Sequence, residues 1–381
     1  YALGIALMGL AFKLKEKYHN YSSVLLSGSI AIIYFISYAA YAYFGLLSRE
    51  IAFVMMVIFT VFTVFQAIRY NRQFIALLGL VGAYGVPFLL SNNSGNIQSL
   101  FIYILIINMG VLFISVKKNW RRVFGAAFGL TWGIYGVWNL SGFSTDKTGV
   151  ALLFGGLFFL IFYAVFLLFK LIHKEEFKQG DIVKVLLNNF IFFSAGYTAI
   201  YSLENPPLLT LFTILNMVLH ALIALFLSRK GGVDIRLVHL ISGMALLFLT
   251  LTIPVQFEGP WIPLFWMLEA AVLYWVGYRH KTPFYGSLSF PLLILGIIGI
   301  FLEWNFFYYE YDFNQYVILN PMFLVTIMSA IVLMVISYIH NKENPSQIKG
   351  ESLISNLLLF GVVALTYGGL LLEVISIFNI P

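Results

Sequence analysis

The chain has no cysteine, which excludes disulfides, thiolate nucleophiles and cysteine-bound metal without deciding the compartment. Charge is nearly as scarce: Asp, Glu, Lys and Arg make up 10% of the 381 residues, against 61% hydrophobic. So little polar surface cannot cover a soluble globule of this length, and a mean hydropathy of +0.92 points to a bilayer as solvent. Catalytic signatures are missing as well. There is no His-Glu-x-x-His, no Gly-x-Ser-x-Gly and no Walker-type loop, and the six histidines do not gather at metal-ligand spacing. The expectation is therefore no metal and no cofactor. A net charge of +6 is not a nucleic-acid signal here, because the bases are spread along the ends of apolar runs, where they meet anionic lipid headgroups.

What is present is a succession of apolar runs near 1–12, 21–47, 51–68, 74–90, 97–116, 123–140, 148–172, 182–202, 206–227, 235–254, 261–278, 284–302, 317–339 and 352–378. Most reach the roughly 20 residues that a helix needs to cross about 30 Å of hydrocarbon. Their continuity excludes a barrel, whose strands would alternate apolar and polar residues. The fold class read from this is all-α integral membrane, a polytopic bundle of about 14 transmembrane helices.

All but two of the 22 Lys and Arg fall in or beside alternate gaps between these runs, the exceptions being Arg49 and Lys147. Basic residues near span ends are retained in the cytoplasm, so the loops 13–20, 69–73, 117–122, 173–181, 228–234, 279–283 and 340–351 are expected there. A missed helix would scramble that alternation. The chain is read as one transmembrane domain over 1–381. Its first helix looks cut short, because only twelve residues precede Lys13, and a region N-terminal to it is expected. Asn108-Met109 and Asn216-Met217 sit in runs of the same direction that end in bases, and Asn320-Pro321 opens a third. That recurrence, about 110 residues or four helices apart, is compatible with parallel four-helix repeats.

Few polar groups fall inside the runs. Glu269 lies eight residues past Trp261, about 12 Å down a helix and so near mid-membrane. A carboxylate there costs at least about 2.5 kcal/mol on insertion scales and usually faces a cavity or a partner. It is read either as a proton- or cation-linked site or as a hydrogen-bonded joint between helices. His220 follows Asn216 by four residues, so the two share a helix face, and together with Asn108 they could join Glu269 along a substrate or ion path. Interhelical hydrogen bonding is the plainer role for them, and for Asn108. Glu373, five residues from the end of its run, is close enough to headgroups or water to be weak evidence for a site.

On the outward side, 91–94 is polar, and Gln256, Glu258, Trp261, Glu303 and Trp304 stand with Tyr308, Tyr309, Glu310, Tyr311 and Asp312 near the mouths of their helices. Carboxylates, an amide and aromatic rings together suit a sugar or an organic cation, although aromatic residues gather at membrane interfaces in any case. An outer-face enzyme acting on a polyprenyl phosphate would want bases there, and only Arg49 and Lys147 are available.

Three stretches carry a resemblance: Leu3 to Lys15 (LGIALMGLAFKLK), Ala76 to Ser91 (ALLGLVGAYGVPFLLS) and Ile253 to Arg279, with its Gly-Pro-Trp turn followed by Trp266, Glu269, Trp275, Gly277 and Arg279. Together they resemble the bacterial predicted membrane proteins grouped as domain of unknown function 2339. The resemblance implies a polytopic inner-membrane protein, often with further helices and a soluble, partly coiled-coil N-terminal region. It brings no catalytic residues with it. Transport of a small solute or lipid-linked molecule is the function expected, with an envelope scaffold and a glycan- or lipid-modifying enzyme as alternatives. The partners expected are the bilayer and its anionic headgroups.

Overall fold

The computed structural model describes residues 1–89, 97–173, 175–230, 232–310, 320–343 and 353–378. Within them the chain is helical throughout, with fourteen α-helices and no strand. Eleven are long and apolar enough to cross a membrane; α1 and α4 are shorter apolar helices. The helix α6 has the length, 21 residues, but its glycines, Trp132, Trp138 and Asn139 make it less apolar than the eleven. Large apolar side chains stand uncovered by protein along the helices, Phe360 at 71% and Leu302 at 67% among them. Faces of that kind need lipid rather than water around them, and the all-α polytopic membrane bundle read from the sequence is the fold.

Two compact units divide the chain, 1–204 with 232–234, and 205–231 with 235–381. The first holds α1 (Ala2–Leu14), α2 (His19–Ala42), α3 (Arg49–Tyr70), α4 (Gln73–Leu89), α5 (Ile97–Lys117), α6 (Arg121–Ser141), α7 (Thr148–His173) and α8 (Gln179–Tyr201). Its helices stop where the chain can satisfy the orphan groups at their ends. Asn71 takes the left-handed conformation, φ 51°, and caps α3 through its own N–H. Aromatic rings fill the space among α5, α6 and α7: Phe101 packs against Tyr135, Trp138, Phe154 and Phe158 at centroid separations of 5.0–5.8 Å.

The second unit holds α9 (Pro206–Lys230), α10 (Ile235–Gln256), α11 (Trp261–Arg279), α12 (Pro283–Asn305) with a π-helical turn Phe306–Glu310, α13 (Pro321–Glu343) and α14 (Leu353–Phe378). Asn205 and Asn320 start α9 and α13 in the same way. Each is followed by a proline, and each side-chain oxygen accepts the N–H three residues on, from Leu208 at 3.1 Å and Phe323 at 2.8 Å. The helices α11 and α12 approach each other closely. A Cβ at Gly277 would lie 2.6 Å from the Gly286 nitrogen, and one at Gly299 would lie 2.9 Å from the Pro263 side chain, so glycine permits the approach at both ends of the pair. Met267, Ala270, Leu273, Leu292 and Ile300 fill the seam between them.

The expected copies of a four-helix repeat have different neighbours. In the first unit α5 packs on α7, whereas in the second α9 packs on its sequence neighbour α10.

Two in-helix prolines have one structural consequence in common. Pro87 and Pro254 lack the N–H that would reach the carbonyls of Ala83 and Thr250 four residues earlier. In each case an aromatic donor from the following helix takes that carbonyl: Tyr103 Oη bonds Ala83 O at 3.0 Å, and Trp266 Nε1 bonds Thr250 O at 3.2 Å. The proline thus creates an interhelical hydrogen bond where an ordinary residue would have closed the helix on itself.

Candidate functional site

Glu269 is half-buried on α11, one turn beyond Trp266. Trp266 ties α11 to the carbonyl that Pro254 frees, and this brings the Thr250 side chain opposite the carboxylate. Thr250 Oγ1 lies 3.0 and 3.1 Å from the two Glu269 oxygens and 3.0 Å from Leu246 O of its own helix. A hydroxyl has one proton to give and two lone pairs to accept with. When Glu269 is ionised, Thr250 can donate to it. When Glu269 is protonated, the carboxyl can donate to Oγ1 while Thr250 turns its proton to Leu246 O. Both charge states therefore have a hydrogen-bonded arrangement in the same geometry. Among the described residues no cation is ion-paired with Glu269.

His220 is fully buried on α9, its Nδ1 2.7 Å from Asn216 O and its ring 5.2 Å from that of Phe248. Asn216, also buried, donates to Phe212 O of its own helix at 2.8 Å. Glu269 and His220 both meet α10, but through Phe248 and Thr250, two residues apart and so about 200° around a helix. The helix α10 stands between them, and the path expected to join His220 and Asn216 to Glu269 is not assembled by these contacts.

Asn108 belongs to the first unit. It forms a buried triad with Tyr84 of α4 and Thr131 of α6: Tyr84 Oη to Asn108 Oδ1 at 2.7 Å, Asn108 Nδ2 to Thr131 Oγ1 at 3.1 Å, and Tyr84 Oη to Thr131 Oγ1 at 2.7 Å. These hydrogen bonds join three helices through groups that answer one another.

Of the residues expected at the outward face, Gln256 and Glu258 are exposed in the α10–α11 turn, and Trp261 is 38% exposed at the start of α11. Gly259, at φ +59°, lets that turn close, and a Cβ there would come within 3.9 Å of Glu303 Oε2. Glu303 therefore sits beside the turn that carries Glu258. Trp304 does not join them. It is buried, with its Nε1 donating to Thr326 Oγ1 at 3.0 Å and its ring against Gly368 of α14, because one residue along α12 turns its side chain inward. Residues 91–94, Tyr311, Asp312, Lys174 and Lys349 lie outside the described residues.

The sequence reading underrated Glu373. Far from reaching headgroups, its side chain is 2% exposed, and Oε1 accepts from Tyr308 Oη at 2.5 Å and from Asn320 Nδ2 at 2.6 Å. The π-helical turn after α12 presents Tyr308, and the α13 cap presents Asn320, whose other amide atom is the cap acceptor. No periodicity could have signalled this, since the partners are 65 and 53 residues away.

A third buried carboxylate, Asp181 at the start of α8, is held differently. Lys170 pairs with it directly, Arg121 Nη2 lies 3.6 Å away, and Lys178 N donates to it at 3.1 Å. Lys170 is itself buried, bonded to Glu176 O at 2.6 Å and placed 4.7 Å from the centre of the Phe177 ring.

No curated protein and no solved structure matches the chain. A family model does, over residues 1–376. The polytopic bundle and this near-complete match place the chain in the family described as predicted membrane protein DUF2339.

Proposed function

We propose that the protein carries a small solute across a bacterial inner membrane, with Glu269 as the group that takes the cargo's positive charge or a coupling proton. The observation that supports this reading is the Glu269–Thr250 pair. A half-buried carboxylate inside an apolar helix, answered by a hydroxyl that can serve it charged or neutral, is suited to changing its charge in place. The loops rich in Lys and Arg face the cytoplasm on this reading. Glu258 and Glu303, near the α10–α11 turn, then form an acidic approach on the opposite side, about 12 Å above Glu269 along α11. A cation entering there would meet carboxylates first at the mouth and then at mid-membrane. His220 and Asn216 are left as packing groups.

A second reading, an envelope scaffold, is favoured by the Tyr84–Asn108–Thr131 triad, which joins helices and leaves no polar group facing a path.

The natural absence of cysteine gives a direct test. Glu269→Cys in the full chain, reconstituted in liposomes, is treated with a membrane-impermeant methanethiosulfonate reagent carrying a quaternary ammonium, with a cysteine at Leu302 on the lipid-exposed face as control. Transport predicts modification of position 269 from one side and no reaction at position 302. A position 269 that reacts no faster than 302 would overturn the transport reading in favour of the scaffold.

A further inference from the structure

In the second unit α10 packs chiefly on α9 and α11 chiefly on α12, so α10 and α11 meet lightly, through their shared turn and the bonds of Thr250 with Trp266 and Glu269. The strip beside the Thr250–Glu269 pair is open. One turn from Glu269, Val272 is 58% exposed; one turn from Thr250, Leu247 is 53% exposed, and Pro254 is exposed a turn away in the other direction. Residues three or four apart share a helix face, so the half-buried carboxylate lies in a shallow groove whose other walls are these apolar side chains. Counted from Trp261 and from Arg279, it lies about 12 Å and about 15 Å from the two ends of α11, at the depth of lipid tails. The groove therefore opens sideways into the bilayer.

A carboxylate at that depth is usually met by a partner or by a water-filled cavity. Thr250 supplies hydrogen bonds but no charge. A second copy of the chain cannot supply the charge either, because all 22 Lys and Arg lie in or beside the gaps between the apolar runs. A strongly hydrated cation would have to shed its water to enter a groove walled by Leu, Val and Pro, and would gain nothing from those walls. A cation carried on an apolar body fits both parts of the groove, its charge against Glu269 and its body against Leu247 and Val272. Phe265 and Trp266, both half-buried and one turn from Glu269 toward Trp261, add rings of the kind that attract a cation.

We propose that the α10–α11 groove takes an amphiphilic cation, a single positive charge on an apolar body, directly from the bilayer, and that Glu269 meets its charge. Glu269 keeps the role proposed for it in transport, on which this site rests; what is added is the class of cargo and its entrance from the side. Cargo arrives from the lipid and leaves to water on one side.

The test uses the full chain in detergent and equilibrium dialysis, with tetraphenylphosphonium as the amphiphilic probe and tetramethylammonium as the hydrophilic one. Tetraphenylborate, alike in shape and opposite in charge, measures partitioning into the micelle. The unaltered protein is expected to bind tetraphenylphosphonium saturably and about 100-fold more tightly than Glu269→Gln does. Tetramethylammonium at equal concentration is expected not to displace it. Leu247→Ala with Val272→Ala, at two lipid-exposed positions, is expected to weaken the binding about tenfold, whereas Leu302→Ala leaves it unchanged. The double variant and the competition decide the matter should Glu269→Gln fail to fold. Displacement by tetramethylammonium, or an affinity untouched by the double variant, would overturn the sideways entrance of an amphiphile and leave Glu269 as a site for a soluble cation. Binding of neither cation, or binding that Glu269→Gln keeps in full, would overturn both the groove and the part of Glu269 in meeting a cargo's charge.

Discussion

Asp181 in the first unit and Glu269 and Glu373 in the second are all carboxylates on membrane helices, yet they are answered by different chemistry. Asp181, at a helix start, is met by two cations, Lys170 and Arg121. Glu269 is met by a threonine hydroxyl, and Glu373 by a phenol and an amide. A carboxylate paired with buried cations is committed to one charge, because losing either partner strands the other. A carboxylate held by neutral donors keeps its hydrogen bonds when its charge changes. The contrast separates a carboxylate fixed by charge from carboxylates held by neutral hydrogen bonds.

The sharpest way to break the comparison is Lys170→Met. It leaves Asp181 facing only the more distant, exposed Arg121, and unfolding in detergent should show a loss of about 3–5 kcal/mol. Adding Asp181→Leu should recover much of it, because the stranded charge is then gone. A single variant as stable as the parent would mean that Asp181 is not fastened by charge at all.

Glu373→Leu comes next, at about 2 kcal/mol, since it strands the Tyr308 hydroxyl and an Asn320 N–H in the interior. Glu373→Gln should cost less than about 1 kcal/mol because its amide oxygen can replace Oε1 for both donors. Equal losses for Leu and Gln would show that the charge of Glu373 matters, which would move it into the class of Asp181.

A loss of about 1 kcal/mol is expected for Asn108→Val, the neutral reference for polar groups that only join helices. Independence of pH between 5 and 8 belongs to the same expectation.

The smallest effect on stability is assigned to Glu269→Gln, within about 0.5 kcal/mol, because the Gln amide oxygen can still accept from Thr250 Oγ1. Melting curves from pH 5 to 8 should then separate, the Glu form changing with pH and the Gln form remaining flat. Parallel curves at every pH would place Glu269 beside Asn108 as packing.

Helix order and extent were legible in the sequence because a bilayer imposes one length and one composition on every span. The apolar run at 352–378 and the helix Leu353–Phe378 agree to a residue. That Asn108 would need hydrogen-bond partners was legible too, since an amide deep in an apolar helix cannot be left bare, and Tyr84 and Thr131 supply them. The partners were not. Thr250 is one of many hydroxyl residues in these helices, and only the Pro254-freed carbonyl, taken by Trp266, places it against Glu269. That signal was in the chain, as a proline four residues after a threonine and an indole on the next helix, and it could have been read. Glu373 had no such local sign, because its neighbours are set by how α12, α13 and α14 meet. Lys170 reads as one base among the loop residues until the chain between α7 and α8 folds back over it.

The glycine seam between α11 and α12 has a mechanical consequence. The two helices meet backbone to backbone at Gly277 and Gly286 and glycine to proline ring at Gly299 and Pro263, so any side chain added at 277 or 299 would have to wedge them apart. Glu269 belongs to that wedge-sensitive pair while Thr250 belongs to α10, outside it. A spacer at 277 or 299 would therefore act on the carboxylate from a distance, by shifting the helix that carries it. The Trp266 hydrogen bond to the proline-broken stretch of α10 fastens the same edge one turn away.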